Sequence, residues 1–331
     1  MPTFEVFQST SDGRITQRET TKPDLTGDQV LVKISASGVC GTDLHYRTSG
    51  IVLGHEGVGT VIAIGPNCSQ LQLGVRVGWG YIHDSCGHCQ SCLAGREVYC
   101  PDVKMYGQDD HDQGSFAHQA VWREAFLFEL PEALQDAEAA PLMCAGATIW
   151  NAIETYNIRG GQCVGVSGVG GLGHLAIQFA AKLGCEVVAF SSTESKREEA
   201  LRLGAKHFFV TKGSAKLSVP RELDHLLVTT GALPDWNSML PLLSAEATIY
   251  PLTVSFSNIS IPAFPFIAKG LTLQGSVVSP RGAHKRMLKF AAFHGIKPVI
   301  ETFPMTAEGI EEALHKLDEG KIRYRGVLVA E

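Results

Sequence analysis

No apolar run in this chain approaches the ~20 residues that a membrane span needs, which excludes a helical membrane protein. A surplus of basic residues is also missing. The net charge is -6, and nucleic-acid binders usually show the opposite balance. The start, Met1-Pro2-Thr3-Phe4-Glu5, has neither a basic segment nor an apolar one, so no secretory signal is read there. A cytoplasmic protein is expected. Internal repeats and low-complexity tracts are absent as well. What remains is an ordinary globular composition, 44% hydrophobic and 19% charged, in 331 residues, long enough for two domains with separate cores. Nine cysteines stand out. In a long chain without a signal they point to metal binding rather than to a disulfide scaffold.

The first part, to about residue 122, reads as β-rich. Residues 29–34 and 58–64 are strand candidates, 75–77 lies in another, and glycines bound several of them. Short strands with glycine turns suggest a distorted barrel. Residues 131–158 turn alanine-rich, with apolar residues at helical spacing. From residue 162 the pattern alternates. Strand 163–167 and a glycine loop lead to helix 174–183, then to strand 186–190 and helix 196–203. Strands 207–210 and 223–229, helix 235–243 and strands 247–250 and 271–278 follow. This is the order of a doubly wound parallel sheet, an α/β fold. Helices 284–294 and 307–319, an extended 298–303 and strand 326–330 close the chain and are expected to pack back on the first domain.

The glycine loop reads Gly168-Val169-Gly170-Gly171-Leu172-Gly173. After a strand and before a helix, the first glycine makes the tight turn. The second lets the backbone approach a pyrophosphate, the third lets the helix pack close, and the helix N-terminus offers free N–H groups to phosphate. A glycine-rich turn without ligand is the alternative. A site for NAD usually places Asp or Glu at the end of the second strand. Here Ser191-Ser192-Thr193-Glu194-Ser195-Lys196-Arg197 follows. Hydroxyls with Lys196 or Arg197 suit a 2′-phosphate, so the cofactor is expected to be NADP(H). The alternative is a plain loop and helix cap with solvated cations.

The sharpest signal is Cys86-x2-Cys89-x2-Cys92-x7-Cys100. Four thiolates at this spacing surround one zinc tetrahedrally and leave no open position, so a structural site is expected. Disulfides and an iron–sulfur cluster rank lower. A second, open site is read from Cys40, His55 and Cys144: three protein ligands and one free position. For Cys144 alone, on an apolar helical stretch, a small core residue is the ordinary reading. Glu56 is an adjacent or exchanging ligand, and Asp43 a partner for the ring N–H of His55. Thr42 and His45 would carry the proton, although for His45 alone an ordinary surface histidine is the better reading, and zinc would act as Lewis acid on an alcohol or carbonyl oxygen.

Together these residues resemble the zinc-dependent alcohol dehydrogenases of the medium-chain dehydrogenase/reductase superfamily. The resemblance runs from Gly38-Val39-Cys40-Gly41-Thr42-Asp43 to Lys321-Ile322-Arg323-Tyr324-Arg325-Gly326-Val327. It implies a GroES-like catalytic domain over 1–148 with a structural-zinc lobe at about 84–102. A Rossmann cofactor domain over 149–280 and a C-terminal return over 281–331 would follow. It implies two zinc ions per chain, Thr148 beside the nicotinamide, and a homodimer through the edge of the cofactor-domain sheet. The Ser191 to Arg197 stretch is most similar to the NADP-dependent cinnamyl-alcohol-dehydrogenase-like branch, which reduces aromatic or medium-chain aldehydes to primary alcohols. Three departures stand out. Only the ten residues 44–53 separate the Cys-Gly-Thr-Asp motif from Gly54-His55, and so short a loop should open the cleft or move His45. Tyr81 stands where a tryptophan often lines the pocket. Ser276-Val277-Val278-Ser279-Pro280-Arg281 replaces a glycine-threonine turn, with Arg281 keeping a cation near the cofactor. The rival readings are a secondary-alcohol or polyol dehydrogenase, a reductase of conjugated C=C bonds, and a nucleotide-binding regulatory protein without catalysis.

Overall fold

A computed structural model describes residues 1–213 and 217–330. They form two compact units, Met1–Ala147 with Val278–Glu331, and Thr148–Val277.

The first unit is built around the strand Gln29–Val39, buried at eight of its eleven positions and paired along both edges. One edge takes Gly57–Ile64 antiparallel. The other is shared: Gln119–Arg123 pairs with residues 29–33, and Arg325–Val329 pairs with residues 36–39. Ile300–Pro304 lies parallel to Arg325–Val329 and extends the sheet on that side. Arg76–Trp79 and then Phe128–Glu129 extend it on the other. A hairpin of Thr3–Ser9 with Ile15–Thr21 packs outside this sheet. The short loop 44–53 is tied to it: Ser9 N donates to Ile51 O at 2.9 Å, and Leu53 N to Phe7 O at 3.3 Å. The core holds Phe7, Ile34, Leu53, Trp79, Phe116 and Phe126. Because Gln29–Val39 ends at Cys40, the middle of the sheet delivers that cysteine to a buried place.

The second unit is a six-stranded parallel sheet in the order His207–Val210, Glu186–Ser191, Cys163–Ser167, Leu223–Val228, Leu243–Pro251, Thr272–Leu273. Cys163–Ser167 is buried throughout, as a central parallel strand must be. The strand order reverses beside it, so the glycine loop at its C-terminal end sits at the switch point of a doubly wound sheet.

Two expected elements are shorter than the sequence pattern suggested. The helix expected over 235–243 is α-helical only over Trp236–Met239, then a 3-10 turn over Leu240–Leu242. Pro241 has no N–H to continue the ladder. The strand expected over 271–278 pairs only at Thr272–Leu273. Beyond it the chain leaves the sheet: Tyr156 OH donates to Gly275 O at 2.7 Å, and Asn151 Nδ2 to Ser276 Oγ at 3.0 Å. No helix among the described residues is long and apolar enough to cross a membrane.

Candidate metal centres and cofactor groove

Cys40 is the last residue before the short helix Gly41–His45 and caps it. Asp43, in the first turn, reaches back: its Oδ2 accepts Cys40 N–H at 2.8 Å. Its Oδ1 meets His55 Nδ1 at 3.1 Å and accepts Tyr106 OH at 2.9 Å. One buried carboxylate therefore holds the backbone of Cys40 and the ring of His55. The Nδ1 contact fixes the imidazole and leaves Nε2, buried and without a hydrogen-bond partner among the described residues, as the free nitrogen. The ligand atoms of Cys40, His55, Glu56 and Cys144 all lie within 4.8 Å of one another. Donors sharing a tetrahedral ion at ~2.3 Å stand about 3.8 Å apart, so this spacing suits one ion.

Metal-free, these groups perturb one another. The Cys144 thiol hydrogen-bonds Cys40, holding Cys40 well below the usual thiol range and pushing Cys144 well above it. Burial opposes a charge on His55, but Asp43 and Cys40 together outweigh it and hold the imidazole pKa well above the usual value. Burial pushes Glu56 up to about 7, partly offset by Arg325, whose guanidinium pairs with Glu56 Oε1. Glu56 Oε2 has no partner among the described residues and faces Gly38, where a Cβ would lie 1.8 Å from it. The Arg325 partner is a residue that sequence reading missed. It lies 269 positions from Glu56, and no local pattern links them.

Around this cluster, Thr42 Oγ1 lies 3.8 Å from Cys40 Sγ and is half-buried. His45, three residues on, is exposed. Tyr81 stands edge-on to His55 with ring centroids 5.6 Å apart, and burial holds its phenol protonated.

The second group is the lobe of Cys86, Cys89, Cys92 and Cys100, whose sulfurs also lie within 4.8 Å of one another. Cys86 Sγ is 3.9 Å from Cys92 Sγ and 3.5 Å from Cys100 Sγ, far beyond a disulfide bond and close to the spacing around one ion. Cys89 N donates to Cys86 Sγ at 3.3 Å and Cys92 N to Cys89 Sγ at 3.5 Å. The backbone amides of His88 and Cys89 draw the Cys86 thiol down to about 6. All nine cysteines are free.

In the second unit Gly168 has φ +101, which favours glycine. A Cβ on Gly173 would lie 1.8 Å from Gly168 O, so the helix Gly173–Lys182 packs against its own loop only as glycine. At Gly170 a Cβ would meet nothing within 4 Å. A groove of about 650 Å³ opens there, lined by Gly168, Gly170, Ser191, Ser192, Lys196 and Lys212 among others. Lys196 Nζ donates to Val169 O at 2.7 Å. Gly171, Leu172 and Thr193 do not line this groove, and neither does Arg197. The Arg197 guanidinium pairs with Glu194 and lies 4.9 Å over the Phe208 ring, so the two charges occupy each other. Thr148, buried, belongs to the second unit. Arg281 belongs to the first, where its Nε donates to Glu97 at 3.0 Å. Lys212, which sequence reading missed, follows the strand His207–Val210 as an ordinary-looking surface lysine.

Residues 26–132 match the family described as Alcohol dehydrogenase GroES-like domain, and residues 171–292 match Zinc-binding dehydrogenase. "Probable formaldehyde dehydrogenase AdhA" of Bacillus subtilis is 36% identical over 313 residues, 90% of this chain and 89% of that protein. "NADP-dependent alcohol dehydrogenase C 1" of Mycolicibacterium smegmatis is 31% identical over 99% of this chain and 98% of that one. The chain belongs to the zinc-binding alcohol dehydrogenase family. A solved cinnamyl alcohol dehydrogenase of Sorghum bicolor superposes with a TM-score of 0.92 at 31% identity, covering 99% of this chain and 98% of that one. As a member of this family the protein is an oxidoreductase interconverting alcohol and aldehyde. Its fold is a GroES-like domain with a Rossmann-like parallel sheet. The expectations of a medium-chain dehydrogenase and of this α/β fold are thereby met.

Proposed function

We propose that this alcohol dehydrogenase transfers hydride between NADP(H) and a primary alcohol or its aldehyde, aromatic or medium-chain, using one catalytic and one structural zinc. The observation that carries the reading is the free His55 Nε2, buried within 4.8 Å of two cysteine sulfurs and a carboxylate, with Nδ1 held by Asp43. Two thiolates, one imidazole and an open fourth place form a donor set of catalytic zinc. Cys40, His55 and Cys144 would hold the zinc, which would supply a Lewis acid for the substrate oxygen, and bound NADP(H) would supply or accept the hydride.

The chain does the rest. Asp43 keeps the His55 proton on Nδ1 and so keeps Nε2 available. Glu56 and Arg325 cancel each other's charge beside the thiolates. Thr42, half-buried, and His45, exposed at the end of the same helical turn, carry the proton from the reacting oxygen to solvent. Tyr81 forms an aromatic wall beside His55. The four-cysteine lobe has no place left for substrate and serves stability.

The cofactor is inferred from the groove. Ser191, Ser192, Lys196 and Lys212 offer hydroxyls and two cations at the ends of neighbouring strands. Glu194, the carboxylate nearest in sequence, is occupied by Arg197. That set suits a 2′-phosphate. We further infer a homodimer through the edge strand Thr272–Leu273. Phe256, Phe264 and Ile267, on the segment leading to it, are 88%, 80% and 73% exposed. Nine free thiols fit a cytoplasmic location.

The purified chain should contain about two zinc ions. It should reduce aromatic and medium-chain aldehydes with NADPH at least tenfold more efficiently than with NADH. Cys40→Ala should abolish turnover with the fold intact by circular dichroism, and Lys196→Ala should erode the NADPH preference. Equal use of NADH would sink the cofactor assignment; full activity in Cys40→Ala would sink the catalytic one.

A further inference from the structure

Tyr106 touches the His55 site from three directions. Its OH donates to Asp43 Oδ1 at 2.9 Å, the oxygen that also meets His55 Nδ1. The same oxygen of Tyr106 accepts Gly54 N–H at 3.0 Å, from the residue just before His55. Its ring stacks on the imidazole, with centroids 4.7 Å apart and planes at 29°. Tyr81 closes the imidazole from the side, edge-on at 5.6 Å. Tyr106 N donates to Tyr81 O at 2.9 Å, so the two tyrosines are joined to each other.

They are also the two ends of one ribbon. From Tyr81 the chain runs through the strand Ile82–Asp84 into the cysteine lobe. It returns from Cys100 through Lys104–Met105 to Tyr106. The strands pair as Ile82 with Met105 and Asp84 with Lys104, with an irregularity in register between them. Two strands of three and two residues are too short to fix their own register. The outgoing strand is anchored by Asp84 on Arg123 and by His83 on Trp122, centroids 5.3 Å apart. The returning strand is positioned by its partner, by Asp109, whose Oδ2 accepts Met105 N–H at 3.3 Å, by Tyr46, edge-on to Tyr106 at 5.4 Å, and on the lobe side by Cys100, whose carbonyl accepts Val103 N–H at 3.1 Å. The four-cysteine lobe is therefore the loop of a hairpin whose two ends hold His55.

We propose that Tyr106 is a positioning residue for His55 and that the ribbon transmits to it the state of the cysteine lobe. An ion in the lobe pins Cys100, Cys100 sets the returning strand, and that strand sets the phenol on Asp43. The inference rests on reading both cysteine sets as metal ligands. It predicts that the two sites are coupled in their affinity for metal, a property that neither ligand set has by itself.

The test follows release of zinc from the full-length chain to a chromogenic chelator. Cobalt in place of zinc distinguishes a four-sulfur from a two-sulfur site by its visible spectrum. The unmodified chain should release about two ions. One or none would remove the ligand sets themselves, and the proposal with them. Tyr106→Phe keeps the ring and removes one oxygen. It should speed release from the Cys40, His55, Cys144 site by about 10- to 100-fold and shift the cobalt bands of that site. The lobe's own spectrum should stay unchanged. Release and spectrum identical to the unmodified chain would overturn the role of Tyr106. Cys89→Ser weakens the lobe's ligand set, and Cys89→Asp, which keeps an oxygen ligand there, replaces it if the serine variant does not fold. Either variant should speed release at the His55 site about fivefold or more. Combined with Tyr106→Phe it should add nothing, because the link is already cut. Two effects that simply multiply would overturn the transmission.

Discussion

Glu56 and Arg325 form an ion pair that is almost fully buried, with Glu56 0% and Arg325 4% exposed. Such a pair contributes little over an apolar replacement, but removing one partner leaves a charge stranded. Arg325→Met should therefore cost about 3–5 kcal/mol in urea unfolding of the metal-free chain. Adding Glu56→Gln should recover most of the loss. A single variant as stable as the parent would show that Glu56 is already neutral in the fold. The pair also marks how far single residues could be read from the chain. Cys40, His55 and Cys144 could be named because cysteine and histidine are chemically conspicuous types. Arg325 could not, since a lone arginine at a strand start reads as surface, and only the pairing of residues 326–329 with 36–39 brings it inside. Tyr106 was invisible for the same reason, and so was Lys212.

Among elements, the glycine loop separates packing from ligand approach. At Gly173 a side chain would collide with Gly168 O; at Gly170 it would meet open space. Gly173→Ala should destabilise the chain by about 1–3 kcal/mol as the helix is pushed off its strand. Gly170→Ala should unfold within about 0.5 kcal/mol of the parent, yet bind NADPH at least tenfold more weakly. Thermal unfolding and nucleotide fluorescence titration read the two effects apart; a destabilised Gly170→Ala would contradict the geometry. The parallel sheet could be read in the sequence because each buried strand, loop and helix is a contiguous local pattern. The errors fell where a local pattern yields to its surroundings. Pro241 stops a helix that its apolar spacing would continue. Gly275 and Ser276 trade the sheet for contacts with Tyr156 and Asn151. The barrel-like unit was legible as strands but not as pairings, because its partners lie far apart in sequence.

For the whole molecule, acid should act through His284, buried at 3% exposure and stacked on Phe128 with centroids 4.1 Å apart. Burial alone pushes its pKa down from 6.5 to about 3. The unfolded chain binds the proton first, so this residue favours the fold fully above pH ~6.5 and progressively less as pH falls toward 3. His284→Leu should flatten the loss of stability between pH 6.5 and 4 in urea titrations; an unchanged slope would mean the imidazole is protonated inside. The division into units has a consequence for the order of assembly. The cofactor unit is one continuous piece, Thr148–Val277, whereas the other is interrupted by it and resumes at Val278. As the chain leaves the ribosome, all of the nucleotide fold is therefore available before the strand Arg325–Val329 exists. Until that strand docks, Glu56 waits without its arginine, and residues 36–39 of the central strand lack the partner on one edge. The buried cluster around Glu56 is thus the last part of the newborn protein to be closed.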